Sequence, residues 1–158
     1  DAGTPDKVKL SWEETKAQER KAKGRHESAL DGVALALPSL TRAEKLTKRA
    51  ARVGFDWTEA DDIFAKIEEE IGELRHEIRT GAPAARLEDE LGDLLFCMAN
   101  LARHLKIDPE GALRHANDKF TRRFHAMEGA LEGEGLEITA QTLEQLEERW
   151  QQAKRASD

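Results

Sequence analysis

The chain has 158 residues, 39% hydrophobic and 36% charged, with a formal charge of −7, no tyrosine and a single cysteine, Cys97. That size suits one domain, or one domain with a tail. A lone cysteine excludes an internal disulfide and a thiolate metal cage. The acidic balance argues against a general nucleic-acid binder but not against a nucleotide held in a pocket, which answers to local charge.

No apolar run approaches the ~18 residues needed to cross a bilayer, and no charged-then-apolar leader opens the chain, so a soluble, cytoplasmic protein without membrane partners is expected. The chain opens on Asp1 without an initiator methionine, as a processed or truncated piece would. Few β-branched runs and a helical spacing of apolar residues point to an all-α fold.

Residues 1–37 are polar and poorly patterned up to Leu30, with one short helical segment over about residues 11–22 that contains Trp12. An apolar connector, Val33-Ala34-Leu35-Ala36-Leu37, ends at Pro38. The first helix is expected to start at a capping box, Thr41-Arg42-Ala43-Glu44, and to stop at Gly54. The second is expected over about residues 58–80, with Ile63, Ile67, Ile71, Leu74 and Ile78 as its buried stripe, broken by Gly81-Ala82-Pro83. The third, over about residues 84–105, is the most apolar and should be the most buried, centred on Leu87, Leu94, Met98, Leu101 and Leu105. Asp108-Pro109 caps and starts a fourth helix carrying Leu113, Phe120, Phe124 and Met127, which should fray from Gly129 onward. A fifth begins near Thr142 and presents Leu143, Leu146 and Trp150. Short connections make these neighbours antiparallel, giving a bundle of about five helices. Trp12 and Trp150 are each followed by lysine four residues on, a weak internal echo.

Two acidic clusters stand out, Glu69-Glu70-Ile71-Gly72-Glu73 and Glu90-Leu91-Gly92-Asp93, sixteen residues apart. Each sets carboxylates three apart on one helical face, where like charges repel. At 100° per residue, Lys66, Glu70, Glu73 and Glu77 flank the apolar stripe of the second helix, with Glu69 just beyond. Arg86, Glu90, Asp93, Cys97 and His104 flank that of the third. Antiparallel packing lets Glu70, Glu73, Glu90 and Asp93 converge, which requires a counter-charge, and Mg2+ suits an all-oxygen donor set. Solvated helix faces would be the ordinary reading of any one pair. Two pairs on adjacent helices, each beside a basic residue, favour the metal. Glu73-Leu74-Arg75-His76 fits one Glu-x-x-His step of a di-iron bundle, but no second step exists.

On the fourth helix Lys119 and Arg123 share a face, with Asn117 and Arg122 nearby in sequence. Beside a carboxylate–metal cluster these cations suit a polyphosphate, though alone they would read as surface charge. Trp150 can stack on a base or pack in the core. Cys97 and His104 read as packing residues. Glu69, which the metal does not require, is a candidate to orient or deprotonate a water.

These motifs resemble the all-α nucleoside triphosphate pyrophosphohydrolases of the MazG type. The resemblance runs over about residues 40–155 and rests on Glu69-Glu70-x-x-Glu73, on Glu90-x-x-Asp93 within Leu87-Glu88-Asp89-Glu90-Leu91-Gly92-Asp93-Leu94-Leu95-Phe96, and on Asn100-Leu101-Ala102-Arg103-His104-Leu105. The segment Ala116-Asn117-Asp118-Lys119-Phe120-Thr121-Arg122-Arg123-Phe124 and Trp150 point in particular to the C-terminal domain of tandem MazG proteins. The acidic signature alone is shared with dimeric dUTPases and phosphoribosyl-ATP pyrophosphatases, so a sibling enzyme specific for either substrate, or a non-catalytic helical dimerisation module, are the alternatives.

The resemblance implies Mg2+-dependent conversion of a nucleoside triphosphate to the monophosphate and pyrophosphate. It makes Glu70, Glu73, Glu90 and Asp93 the Mg2+ ligands and Lys66, Arg86, Lys119, Arg123 and Trp150 nucleotide contacts, with Asn117 and Arg122 adjacent. It also implies a homodimer that completes the bundle and forms its sites between subunits. Residues 1–37 then become the tail of an upstream MazG-like domain plus a linker, and 38–158 the catalytic domain.

Overall fold

A computed structural model describes residues 28–157, and these form α1 (Ser39–Ala51), α2 (Ala60–Thr80), α3 (Ala84–His104), α4 (Pro109–Gly133) and α5 (Leu143–Ser157), with one 3-10 turn at Ile138–Ala140. There is no strand among the described residues, so the all-α expectation holds. The segment around Trp12 lies outside the described residues.

The helix ends follow local chemistry. Gly81 adopts the left-handed conformation (φ +69°), and the amides of Gly81 and Ala82 donate to the carbonyls of Ile78 and Glu77 at 3.3 and 3.0 Å. That paired pattern is a Schellman stop, and only glycine enters it without strain. The Asp108 carboxylate accepts from the Glu110 amide at 3.1 Å, with Pro109 at the first helical position. At the start of α5, Thr142 and Gln145 exchange hydrogen bonds, the Gln145 amide to Thr142 Oγ1 at 3.3 Å and the Thr142 amide to Gln145 Oε1 at 2.9 Å. This is a reciprocal capping box.

Two expected boundaries move. Thr41 does not cap α1: Pro38 does, and its carbonyl accepts from the Arg42 amide at 2.8 Å. The helix is therefore under way three residues earlier, with Thr41 inside its first turn. α4 does not fray at Gly129 but continues to Gly133, and the chain turns at Gly135 with φ +68°. Leu131, 1% exposed, anchors that last stretch.

α3 is the hub of the bundle, packing most extensively on α2 and also on α1 and α4, while α4 packs on α5 and α1. The central apolar cluster is Ile63 and Ile67 of α2 with Cys97 and Leu101 of α3, flanked by Ala60, Ile71 and Leu94. A second buried zone holds Met127 and Leu131 of α4 and Ala153 of α5. Phe120 bridges these last two helices, its ring centroid 5.1 Å from that of Trp150 and 5.9 Å from that of Phe124.

α3 carries more buried residues than any other described helix, Glu90, Cys97, Ala99, Asn100 and Leu101, yet much of its apolar surface is not covered within the chain. Leu91, Leu95, Phe96, Met98 and Leu105 are all close to half exposed, and Ile78 of α2 is 60% exposed. The neighbours of α3 cover one side of it and leave the other apolar side open. No described helix is long and apolar enough to cross a membrane.

Candidate active site

The three-residue turn after α2 brings α3 back antiparallel, so the acidic flank of each helix faces the same side of the pair. The result is a carboxylate cluster: one ligand oxygen each from Glu70, Glu90 and Asp93 lie within 4.8 Å of one another. Glu70 and Glu90 are buried, at 4% and 6% exposure, whereas Asp93 opens to solvent. Glu73 and Glu69, one turn apart on the same flank of α2, line an adjoining pocket of about 420 Å³ together with Gly72, His76, Glu77, Arg86 and Glu90.

Two basic side chains hold the cluster in the protein alone. Lys66 Nζ lies 2.8 Å from Glu70 Oε1 and 3.0 Å from Glu69 Oε1. Arg86 Nη2 donates to Glu90 Oε1 at 2.7 Å and to Glu77 Oε1 of α2 at 3.1 Å, so one guanidinium spans both helices. Burial pushes the Glu90 carboxyl up from its ordinary value, Arg86 pulls it down, and the charges of Glu73, Glu70 and Glu77 push it up again; the net direction is upward. Burial, and the charge of Glu70 next to it, also raise the Cys97 thiol, which leaves it an inert core group.

The donor set fits a hard divalent cation. All candidate ligands are carboxylate oxygens, and Glu70 Oε2 is buried with no hydrogen-bond partner. A buried, unsatisfied carboxylate oxygen is costly unless something positive meets it.

The other expected contacts lie elsewhere in the subunit. Lys119, Asn117 and Arg122 are exposed on α4, Arg123 is buried there, and Trp150 sits on α5 against Phe120. None of them lines the acidic pocket. His76 is exposed, and its phase on α2 puts it on the pocket wall. The signal was present in the i, i+3, i+4, i+7, i+8 series Glu69, Gly72, Glu73, His76, Glu77.

At the far end of α3, Asp56 of the loop before α2 pairs with both Arg103 and His104, the latter through Nε2 at 2.9 Å. Arg103 in turn donates from Nε and Nη2 to Asn100 Oδ1 at 3.0 and 2.8 Å. His104 is thus a structural partner of the loop, as its position suggested.

Fold and site together define an all-helical protein with a cluster of carboxylates flanked by basic side chains. Residues 59–127 match the MazG nucleotide pyrophosphohydrolase domain. It is 48% identical over 155 residues to the nucleoside triphosphate pyrophosphohydrolase of Escherichia coli K12, covering 98% of this chain and 59% of that protein. It is 42% identical over 144 residues to the nucleoside triphosphate pyrophosphohydrolase/pyrophosphatase MazG of Thermotoga maritima, covering 90% of this chain and 54% of that one. A third relative, the uncharacterized protein YabN of Bacillus subtilis, is 42% identical over 147 residues, covering 93% of this chain and 30% of its own. The chain thus spans little more than half the length of the first two relatives.

Proposed function

We propose that this chain hydrolyses nucleoside triphosphates to the monophosphate and pyrophosphate, with Mg2+ as the cation. The observation that carries the reading is the partnerless, buried Glu70 Oε2 in a cluster with Glu90 and Asp93. The names of the two relatives above support the substrate class.

Glu70, Glu90 and Asp93 would hold the cation, with Glu73 completing the set from the adjoining pocket. The chemistry such a cation would supply there is to offset developing charge on the phosphates and to lower the pKa of a water. Lys66 and Arg86 now spend their charge on the carboxylates and are placed to turn to phosphate oxygens once those carboxylates are engaged. Glu69, about half exposed at the pocket edge and held by Lys66, is the proposed group to orient or deprotonate the water.

A homodimer is part of the proposal. The open apolar side of α3 around Leu91, Leu95 and Met98 is the surface it would cover. A second subunit would also give Asn117, Lys119, Arg122, Arg123 and Trp150 a route to the nucleotide that one chain does not offer.

The test is to incubate the purified protein with each nucleoside triphosphate, singly and in competition, with and without Mg2+, and to identify the products. Release of pyrophosphate and monophosphate supports the reading. Release of orthophosphate and diphosphate removes it, and exclusive use of one nucleotide reassigns the chain to a specialised sibling enzyme.

A further inference from the structure

The acidic pocket carries one side chain that the proposed reaction leaves idle. Its wall is Glu69, Gly72, Glu73, His76 and Glu77 of α2 with Arg86 and Glu90 of α3. No apolar side chain is among them, so this wall offers nothing to a nucleobase. The part of a nucleotide that suits it is the part made of charged oxygens.

A phosphate oxygen needs hydrogen-bond donors, and an ionised carboxylate has none to give. The side-chain donors of the wall are therefore Arg86 and His76. Arg86 is already shared between Glu90 at 2.7 Å and Glu77 at 3.1 Å. His76 is exposed, and its ring has no hydrogen-bond or ion-pair partner among the described residues. The Thr80 hydroxyl donates to the backbone carbonyl of His76 at 3.0 Å and leaves the ring alone. Either neutral tautomer of an imidazole keeps one N–H, so the ring can donate without a change of charge.

Gly72 supplies the room. It lies four residues before His76 on the same face, and helical side chains lean toward the N-terminus, so the ring of His76 covers the turn that Gly72 opens. A Cβ built at Gly72 meets nothing within 4 Å, so packing does not demand a glycine there. Inside a helix glycine is less favourable than alanine. What it leaves is an unobstructed approach to the ring from the side of Glu69 and Glu73.

From this inventory of donors we infer that His76 is a further substrate-binding residue, its ring N–H donating to a non-bridging oxygen of the terminal pyrophosphate group through the gap that Gly72 keeps open. The inference rests on the nucleotide reading above. In this role His76 neither holds the cation nor moves a proton. It holds the leaving group.

The experiment is calorimetric titration of pyrophosphate, and of AMP, GMP, CMP and UMP, each with Mg2+, into the full chain, His76→Ala, His76→Gln and Gly72→Leu. Both positions are exposed on α2, so these substitutions do not threaten the fold. In His76→Ala the affinity for pyrophosphate should fall at least about tenfold, the loss of one hydrogen bond to a charged group. The affinities for the monophosphates should not move. His76→Gln should recover part of the loss, because its amide also donates. Gly72→Leu should reproduce the loss with His76 in place, and the Mg2+ thermal shift should stay that of wild type in every variant.

Unchanged pyrophosphate affinity in His76→Ala, or no pyrophosphate binding by wild type, overturns the inference. A parallel loss for the monophosphates marks a general disturbance of the pocket and overturns it too. So does a lost Mg2+ thermal shift, which puts the ring on the cation. Unchanged affinity in Gly72→Leu overturns the part given to Gly72. Failure of the two readings is distinguishable. A pyrophosphate affinity that depends on His76 without turnover of triphosphates removes the reaction and keeps His76, whereas normal turnover with a silent His76 removes only this inference.

Discussion

Lys66 Nζ sits 2.8 Å from Glu70 Oε1, while the other oxygen of the same carboxylate, Oε2, is buried without a partner. One oxygen of Glu70 is therefore neutralised from its own helix and the other is left without a partner, in a carboxylate that clusters with Glu90 and Asp93. Added Mg2+ should raise the melting temperature beyond the effect of matched monovalent salt, because a ligand that binds only the folded state stabilises it. Glu70→Gln and Asp93→Asn should each abolish that increment. A thermal-shift series with MgCl2 against NaCl measures it, and an undiminished Mg2+ response in both variants would remove the cation site.

Arg86 reaches Glu90 on its own helix and Glu77 across the pair, yet its side chain is 51% exposed. Exposed pairs contribute little to folding, so Arg86→Ala should leave the denaturation midpoint close to that of wild type. Its effect on the reaction should be larger, with KM for the triphosphate rising about tenfold or more. Arg86→Lys keeps the charge but loses the fork that spans two carboxylates, and should fall between. Steady-state kinetics beside denaturant titration separates the two quantities.

Burial pushes the Asp56 carboxyl up, but hydrogen bonds and charge from Arg103 and His104 outweigh it and hold the group below its ordinary value of 3.8. A carboxylate depressed in the folded state binds its proton less readily there than in the unfolded chain. Its contribution is therefore present above pH 3.8 and is lost as pH falls through the lower folded value. Asp56→Asn should cost about 1.5–3 kcal/mol at neutral pH, the range for hydrogen bonds to charged groups. The gap between wild type and variant should narrow at acid pH. Urea titrations at several pH values check both statements, and a gap that widens on acidification would contradict them.

Gly81 has φ +69°, and a Cβ built there meets nothing within 4 Å. Gly81→Ala should therefore cost about 1–2 kcal/mol purely through backbone strain. If urea titration shows the alanine variant to be as stable as wild type, the Schellman stop is not what sets the α2–α3 turn.

That turn shows how much the sequence made legible. Gly81-Ala82-Pro83 and Asp108-Pro109 are local signals, acting within a few residues of the boundary they set, and both fall where expected. So do Glu70, Glu90 and Asp93, because helical phase plus one short turn is enough to bring two flanks together. Thr41 misled because a capping box is a pattern of residue types, whereas the Pro38 carbonyl had already taken the first helical hydrogen bond.

Met98 and Leu105, expected at the buried centre of α3 and about half exposed, misled for a different reason. Hydrophobic spacing says that a face wants burial but not which chain will supply it. The Asp56–Arg103 pair joins residues 47 apart, and nothing local announces it.

The proposed reaction takes place at the Glu70–Glu90–Asp93 cluster. Its most direct test is a phosphorus NMR time course on a nucleoside triphosphate, run side by side for wild type and Glu70→Gln with Mg2+ present and with it chelated. Wild type with Mg2+ should release pyrophosphate and nucleoside monophosphate in equal amounts. Chelation or Glu70→Gln should slow this at least about a hundredfold, since a metal supplies several kcal/mol and each 1.4 kcal/mol is tenfold. Orthophosphate with nucleoside diphosphate as the products, or pyrophosphate release at an unchanged rate in Glu70→Gln, would contradict it.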